Sequence, residues 1–206
     1  MTAVVRRPSL RAVQKEMTRE RLREAARLLF FSSGYLATTV EQIAAAAGAS
    51  RATFYLHFKD KDEVLQDIAL DYAPRALAVM RRLKGPLPTH AEIRLWLNNW
   101  VELVVAERAS TMIFTEVAQH GAPSYVQDIV DQIILALAER IPAFRAAVSP
   151  TALQLEARVW ADMLIMHGTK ACGKAAFGAD KEYADIGLNV AATLFERFIH
   201  DPRFTT

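Results

Sequence analysis

Apolar residues recur along nearly the whole chain with the three-to-four-residue spacing of an amphipathic helix. The first such run shares one helix face and consists of Leu22, Ala25, Ala26, Leu29 and Phe30. We expect this helix to end near Gly34, because glycine readily adopts the left-handed conformation that closes many helices. No alternating apolar and polar pattern of useful length is present, so the sequence predicts an all-α protein.

Two short helices are predicted next. Thr39 and Gln42 form a capping-box sequence at the start of the first, and Gly48 ends it. Ser50 caps the second, which covers 51–58 and places Phe54 and Phe58 on one inward face.

Proline and glycine residues divide the rest of the chain. A fourth helix is expected to start near Asp60 or Lys61, and Pro74 is expected to kink or end it. After a loop at 85–88, helices are predicted over about 89–120 and, beyond a break at 121–123, to about 141. Ser149-Pro150 indicates the start of a helix that reaches about residue 174, and a last helix covers about 181–199.

Composition narrows the class of protein. The 206 residues are 52% hydrophobic and 23% charged, which is typical of one large or two small globular domains. We find no apolar stretch near the roughly 18 residues of a membrane span and no secretory signal, so we expect a cytoplasmic protein without a membrane partner. A single cysteine, Cys172, excludes a disulfide framework within one chain. We predict neither a metal ion nor a cofactor.

Charge is distributed unevenly along the chain. Residues 1–61 hold 11 Lys and Arg against five Asp and Glu, whereas residues 62–206 hold 14 against 18. A basic N-terminal third suggests a polyanionic partner. The alternation of arginines with Glu20 and Glu24 fits a solvated helix face equally well.

The segment 39–58 has the layout of a helix-turn-helix, in which the second helix enters the major groove of DNA. Ala44 and Ala47 are small enough to let the two helices cross closely, and Gly48 suits the turn. The positions left to face outward offer an arginine for guanine, a methyl group for thymine and polar donors for phosphate.

A longer pattern surrounds this motif in register. It consists of Thr18-Arg19-Glu20, Ala25-Ala26, Leu29-Phe30, Gly34-Tyr35, Thr39-Val40, Ile43-Ala44, Ala47-Gly48, Ser50, Phe54-Tyr55, His57-Phe58, Lys61 and Val64-Leu65. With these residues the chain resembles the N-terminal domain of the TetR family of transcriptional regulators over about 18–65. The resemblance implies a three-helix DNA-binding domain followed by a larger helical domain that binds an effector and dimerises.

The resemblance also implies roles for single residues. Those of the two short helices would meet phosphates and base edges, and those that follow would clamp the DNA backbone. The implied DNA-binding residues are Thr39, Val40, Ser50, Arg51, Ala52, Thr53, Tyr55, His57 and Lys61. We expect no polar base contact from Leu56. For Glu41, stabilisation of the helix N-terminus and a contact with cytosine are both open.

Three segments follow from this comparison. Residues 1–17 form a basic N-terminal arm, 18–61 the helix-turn-helix domain, and 62–206 the helical effector-binding and dimerisation domain. For the arm, with Arg6, Arg7, Arg11 and Lys15, three interpretations are open. It could reach a minor groove, extend the first helix from a cap at Ser9, or be a disordered tail.

The last two predicted helices are apolar over a wide arc, which predicts that each buries two faces. In the last helix one row comprises Ile186, Val190 and Leu194, and another comprises Leu188, Ala191, Phe195 and Ile199. The preceding helix is similarly broad, with Leu155, Val159, Met163, Ile165 and Met166. We predict a homodimer through these two helices, a monomeric bundle being the alternative.

Aromatic, methionine and isolated polar residues in the C-terminal part are candidates for an effector pocket that suits a flat or lipophilic ligand. They are Trp96, Trp100, Met112, Glu116, His120, Tyr125, Trp160, Met163 and His167. For each residue alone, packing in the core is the competing interpretation. Glu116 and His120 are too few to indicate a metal site.

The sequence therefore predicts a ligand-responsive regulator, most simply a repressor that a small effector releases from a palindromic operator. One alternative is a DNA-binding protein of the same fold without a small ligand, which a filled C-terminal core would favour. The other is an enzyme with an accessory helix-turn-helix. We do not expect an enzyme, because we find no phosphate-binding glycine loop, HExxH motif or nucleophile elbow.

Overall fold

The computed structural model describes residues 9–119 and 124–205, excluding the side chains of 118, 119 and 124–126. Within these ranges the chain is helical without strands, which confirms the predicted all-α class. The helices are α1 (Leu10–Ser33), α2 (Val40–Ala46), α3 (Arg51–Tyr55), α4 (Lys61–Met80), α5 (His90–Ala106), α6 (Arg108–Gln119), α7 (Ser124–Ala138), α8 (Pro142–Ala146), α9 (Gln154–Phe177), α10 (Lys181–Ile199) and α11 (Pro202–Thr205). No helix of the described residues has the length and apolar character needed to cross a membrane.

Helix α1 begins earlier than the N-terminal domain predicted from the resemblance. The Ser9 hydroxyl accepts the backbone N–H of Ala12 at 3.2 Å and caps the helix. Residues 10–17 therefore extend α1, as one of the three interpretations proposed, whereas Arg6 and Arg7 lie outside the described residues. At the other end Gly34 has a φ of +86°, and its N–H donates to the carbonyl of Phe30 at 3.1 Å.

Helix α4 connects the N-terminal helices to the rest of the protein. It continues past Pro74 to Met80, so the sequence prediction that the helix could end at this proline was wrong. Val64 and Leu65 are buried near its start and Tyr72 near its middle, where the Tyr72 ring lies 5.5 Å from that of Phe114 on α6. The two parts of the chain thus share one uninterrupted helix.

Helix α3 ends at Tyr55 instead of at residue 58, and boundaries of longer helices differ from the predictions as well. The single helix predicted over 89–120 is divided at Glu107, which lies between α5 and α6 and has non-helical backbone angles. The Glu107 carboxylate pairs with Arg75 of α4 at 2.6 Å, a contact that local sequence does not reveal. Helix α9 starts at Gln154 instead of at Ser149-Pro150.

Aromatic side chains fill the centre of the C-terminal helices. Trp96 of α5 lies edge-on to Phe195 of α10, with ring centres 5.2 Å apart, and its indole N–H donates to the carbonyl of Val79 at 3.1 Å. The Trp100 ring packs against Gly168 of α9. A Cβ atom at this position would lie 2.7 Å from the ring, so only glycine fits there. These contacts make α5, α9 and α10 one close-packed unit.

Candidate nucleic-acid interface

Helices α2 and α3 are fixed by the capping interactions that the sequence predicts. The Thr39 hydroxyl accepts the N–H of Gln42 at 3.3 Å, and the Gln42 side chain accepts the N–H of Thr39 at 2.8 Å. Ser50 accepts the N–H of Thr53 at 3.0 Å. Gly48 makes the turn between them with a φ of +64°. The two helices are therefore capped by side chains of the motif itself.

The residues of α3 that were predicted to contact DNA bases are exposed to solvent on its outer face. Arg51, Ala52 and Tyr55 are exposed, whereas Phe54 is fully buried. Arg51 Nη1 lies 2.9 Å from Glu41 Oε1 in an ion pair whose side chains are 64% and 55% exposed. Such an exposed pair contributes little free energy, so the guanidinium can exchange Glu41 for a nucleic-acid acceptor at little cost.

The remaining predicted residues differ in their exposure. Thr39 and Ser50 are exposed, and Val40 and Thr53 are half-buried. The Leu56 side chain is 75% exposed and has no polar atom with which to contact a base.

Lys61 makes contacts within the protein that the sequence did not suggest. Its Nζ donates to the carbonyls of Tyr35, Leu36 and Thr38 at 2.9, 3.2 and 3.0 Å. An ammonium group has three N–H donors, so all of them are engaged. Lys61 therefore positions the α1–α2 loop, and the predicted phosphate contact would have to replace one of these bonds.

His57 is held at the end of α3 by cations of α1. It is half-buried, and its Nδ1 has no hydrogen-bond partner among the described residues. Burial lowers the pKa of the imidazole below its ordinary value; the charges of Lys15 and Arg19 lower it further, and Glu16 opposes them. The side chain is consequently neutral at neutral pH.

Arg19 is a positioning residue that the sequence reasoning missed. Its Nη1 donates to the carbonyl of His57 at 2.6 Å, and its Nη2 pairs with Asp67 Oδ1 of α4 at 2.8 Å. The guanidinium carbon lies 4.0 Å from the centre of the Phe58 ring. Arg19 thus joins α1, the end of α3 and α4, but its place among alternating charges gave no signal of this.

The structure does not gather the predicted effector residues into one pocket. Trp96 and Trp100 belong to the packed core, whereas Trp160, Met163 and His167 lie on the exposed side of α9. Met112 and Glu116 line a groove between α6 and α9. His120 and the side chain of Tyr125 lie outside the described residues.

Helices α9 and α10 show the two faces that their apolar arcs predict. On α10, Leu188, Ala191, Phe195 and Ile199 are buried in the core. Many large apolar side chains of both helices face solvent instead, among them Leu155, Val159, Met163, Met166, Tyr183, Ile186 and Val190. Together these seven form the exposed α9–α10 face.

Comparison with known proteins shows what the N-terminal helices are similar to. Residues 22–68 match the model described as bacterial regulatory proteins, tetR family. The HTH-type transcriptional regulator TcmR of Streptomyces glaucescens is 46% identical over 57 residues, which cover 28% of this chain and 25% of TcmR. The first curated relatives are thus matched over about a quarter of their length.

Two further matches extend beyond the N-terminal domain. The HTH-type transcriptional repressor AcnR of Corynebacterium diphtheriae is 24% identical over 138 residues, covering 65% of this chain and 70% of AcnR. The crystal structure of FadR from Bacillus subtilis in complex with stearoyl-CoA has a TM-score of 0.60 at 15% identity, covering 88% of this chain and 97% of FadR. Residues 22–68 are thus similar to the tetR family of bacterial regulatory proteins, and the fold of the described chain is similar to that of FadR.

Proposed function

We propose that this chain is a cytoplasmic, sequence-specific DNA-binding transcriptional regulator. The observation that carries the proposal is the outer face of α3, where Arg51, Ala52 and Tyr55 are exposed beside the buried Phe54. A short, firmly capped helix with donors and a methyl group facing outward has the chemistry to read base edges in the major groove.

The proposal includes a homodimer formed through the exposed α9–α10 face. Met166, Ile186 and Val190 are each more than half exposed, which is unusual for neighbouring apolar residues unless a partner covers them. A second copy of this chain is the occupant we propose, because two-fold symmetry doubles the length of DNA that the motif reads.

We further propose that the dimer acts as a repressor and that a small effector releases it from a palindromic operator. Support comes from AcnR, which is described as a repressor, and from FadR, whose structure contains stearoyl-CoA. The effector would lower operator affinity by binding more tightly to a conformation in which the two recognition helices are wrongly spaced.

The packed core favours a second candidate. Trp96 and Trp100, predicted to line a pocket, are instead 2% and 3% exposed and packed against each other and Phe195. A regulator of the same fold that responds to no small ligand would have such a core. The two candidates share the DNA-binding function and differ in what controls it.

Selection of DNA from a random library by the full chain, followed by a salt titration of the selected site, tests the proposal. We expect a palindromic site bound by two subunits, with affinity that falls steeply as salt rises, because bound phosphates release counterions. Weak binding without sequence preference would contradict it.

Two arginine variants make the test specific to α3. We expect Arg51→Ala to weaken binding to the selected site by about 1–3 kcal/mol and to relax the preference at one position of each half-site. Arg81→Ala is the matched control, because Arg81 is a comparably exposed arginine paired with Glu139 far along the chain from α3. Equal losses in both variants would exclude Arg51 as a base-reading residue.

A further inference from the structure

An open groove of about 450 Å³ runs between α6 and α9. Its lining includes Arg108, Thr115, Lys170, Gly173, Lys174 and Phe177. This volume lies within the usual range of small-molecule sites, roughly 300–1,000 Å³. The groove is therefore large enough for a ligand although the core beside it is filled.

The groove is positively charged. Arg108, Lys170 and Lys174 make no ion pair with any described residue, whereas arginines elsewhere in the domain, such as Arg94 and Arg158, are paired with aspartates. The acid of the groove, Glu116, already accepts the backbone N–H of Tyr35 at 3.2 Å. An anion in the groove would thus meet three cations and one carboxylate, so the net charge of the lining favours it.

The groove also offers an apolar surface. Met112 is 44% exposed and Phe177 is 36% exposed, and both side chains line it. Gly173 has no atom within 4 Å of the place where a Cβ would stand, so the groove is open along this part of α9. An aromatic ligand body could lie against these residues while its head group meets the cations.

We propose that the α6–α9 groove binds an amphiphilic organic anion, that is, an acidic head group on an apolar body. This inference rests on the proposed function, because it names the class of effector that the regulator senses. It differs from the expectation of a core pocket, since neither Trp96 nor Trp100 takes part.

Contacts at both ends of α6 connect this groove to the DNA-binding helices. The guanidinium of Arg108 lies 4.6 Å from the Phe177 ring of α9 and 5.5 Å from the Phe31 ring of α1. Glu116 holds the backbone of Tyr35 in the α1–α2 loop, which Lys61 also holds. A ligand that draws Arg108 toward its head group would weaken the contact with Phe31 and thereby alter how α6 supports the loop that precedes Thr39.

Calorimetric titration of the full chain with naphthoate tests the binding site. Neutral naphthamide tests the need for charge, acetate tests the need for an apolar body, and naphthyl phosphate ranks the two kinds of acidic head group. We expect naphthoate or naphthyl phosphate to bind at least about tenfold more tightly than either control, as loss of one charge-assisted contact predicts. Equal binding of naphthoate, naphthyl phosphate and naphthamide would overturn the inference.

Variants of exposed groove residues locate the bound anion. We expect Lys174→Met to weaken binding of the tighter anion by about tenfold and Gly173→Trp to abolish it by filling the groove. Gly173→Ala is the matched control, which leaves the groove open, and Lys84→Met controls for loss of an exposed lysine elsewhere. Unchanged binding in both groove variants would place the anion outside the groove and overturn the inference.

Binding of the selected DNA, measured with and without the anion, separates this inference from the proposed function. DNA binding that the anion weakens in the unaltered protein, but not in Gly173→Trp, supports both. Specific DNA binding without anion binding in the groove would reject the inference and leave the regulator intact. Anion binding by a protein that selects no DNA site would reject the proposed function.

Discussion

His57 is a single residue whose charge would change on binding at the proposed DNA interface. Burial together with Lys15 and Arg19 holds its pKa below the ordinary value, so the free protein carries a neutral imidazole at neutral pH. A nearby phosphate would favour the charged form and raise that pKa. Binding would then take up a proton, and affinity for the selected DNA would increase as pH falls from about 8 to about 6.

Measuring DNA affinity across this pH range for the unaltered protein and for His57→Gln checks the expectation. We predict that the variant, which has no titrating ring, loses the His57-dependent rise in affinity. Because the folded-state pKa is lowered, His57 also contributes stability above its ordinary pKa that is lost as pH falls. The same pH dependence of affinity in both proteins would show that His57 does not contact phosphate.

A substitution of Lys61 shows whether this residue positions the α1–α2 loop or contacts a phosphate. With three carbonyl bonds inside the protein, its replacement by methionine should destabilise the chain by about 1–3 kcal/mol. We expect the salt dependence of DNA binding to stay unchanged, whereas loss of a phosphate contact would reduce its slope by about one. Thermal unfolding and a salt titration of Lys61→Met measure the two effects, and Lys59→Met is a neighbouring control.

Glycines show how the same residue type acts differently in different elements. Gly48 has open space around it but a φ of +64°, so Gly48→Ala should destabilise the protein by about 1 kcal/mol through backbone strain alone. Gly173 has open space within α9, so Gly173→Ala should stabilise it by about 0.5–1 kcal/mol.

Gly168 supplies the third case. A Cβ there would lie 2.7 Å from the Trp100 ring, so Gly168→Ala should destabilise by overpacking of about 1–3 kcal/mol. Chemical denaturation of the three variants gives the comparison. Equal effects of Gly48→Ala and Gly173→Ala would contradict the assignment of backbone strain to the turn.

At the scale of elements, helices could be predicted where the residues that cap them are close neighbours in the sequence. The Thr39–Gln42 box, the Ser50 cap and the helix Lys181–Ile199 were predicted from neighbouring residues alone. No glycine or proline marks the break at Glu107 in the sequence. Helix α4 continues through Pro74 because Ala73 and Ala76 are buried against other helices. Such tertiary effects override local propensity and could not be predicted from the sequence.

Over the whole molecule, the prediction that can be tested most directly concerns oligomeric state. If the exposed α9–α10 face joins two copies, Val190→Glu should place a charge in the interface and yield monomers with much weaker DNA binding. Sedimentation or light scattering of the purified chain checks the mass. Leu95→Glu is the matched control, because Leu95 is 65% exposed on α5 and lies outside this face.

The candidate sites could be predicted from the sequence to different extents. The helix-turn-helix could be predicted because its residues, 39–58, lie close together in the sequence and form one short motif. The predicted effector residues do not all lie together in the structure. A tryptophan at helical spacing fits a core as well as a pocket, and Trp96 and Trp100 are buried in the core. The charged groove depends on Arg108 and Lys174 meeting across two helices, which only tertiary structure reveals.

The continuity of α4 has a consequence for engineering. A hybrid regulator made by joining the first 60 residues to another sensor would cut the chain just before Lys61, whose ammonium group holds the α1–α2 loop. It would also discard Val64 and Leu65, which are completely buried. A transplant that keeps the whole of Lys61–Met80 with the proposed DNA-reading part, joined in the stretch 81–89, would retain these partners.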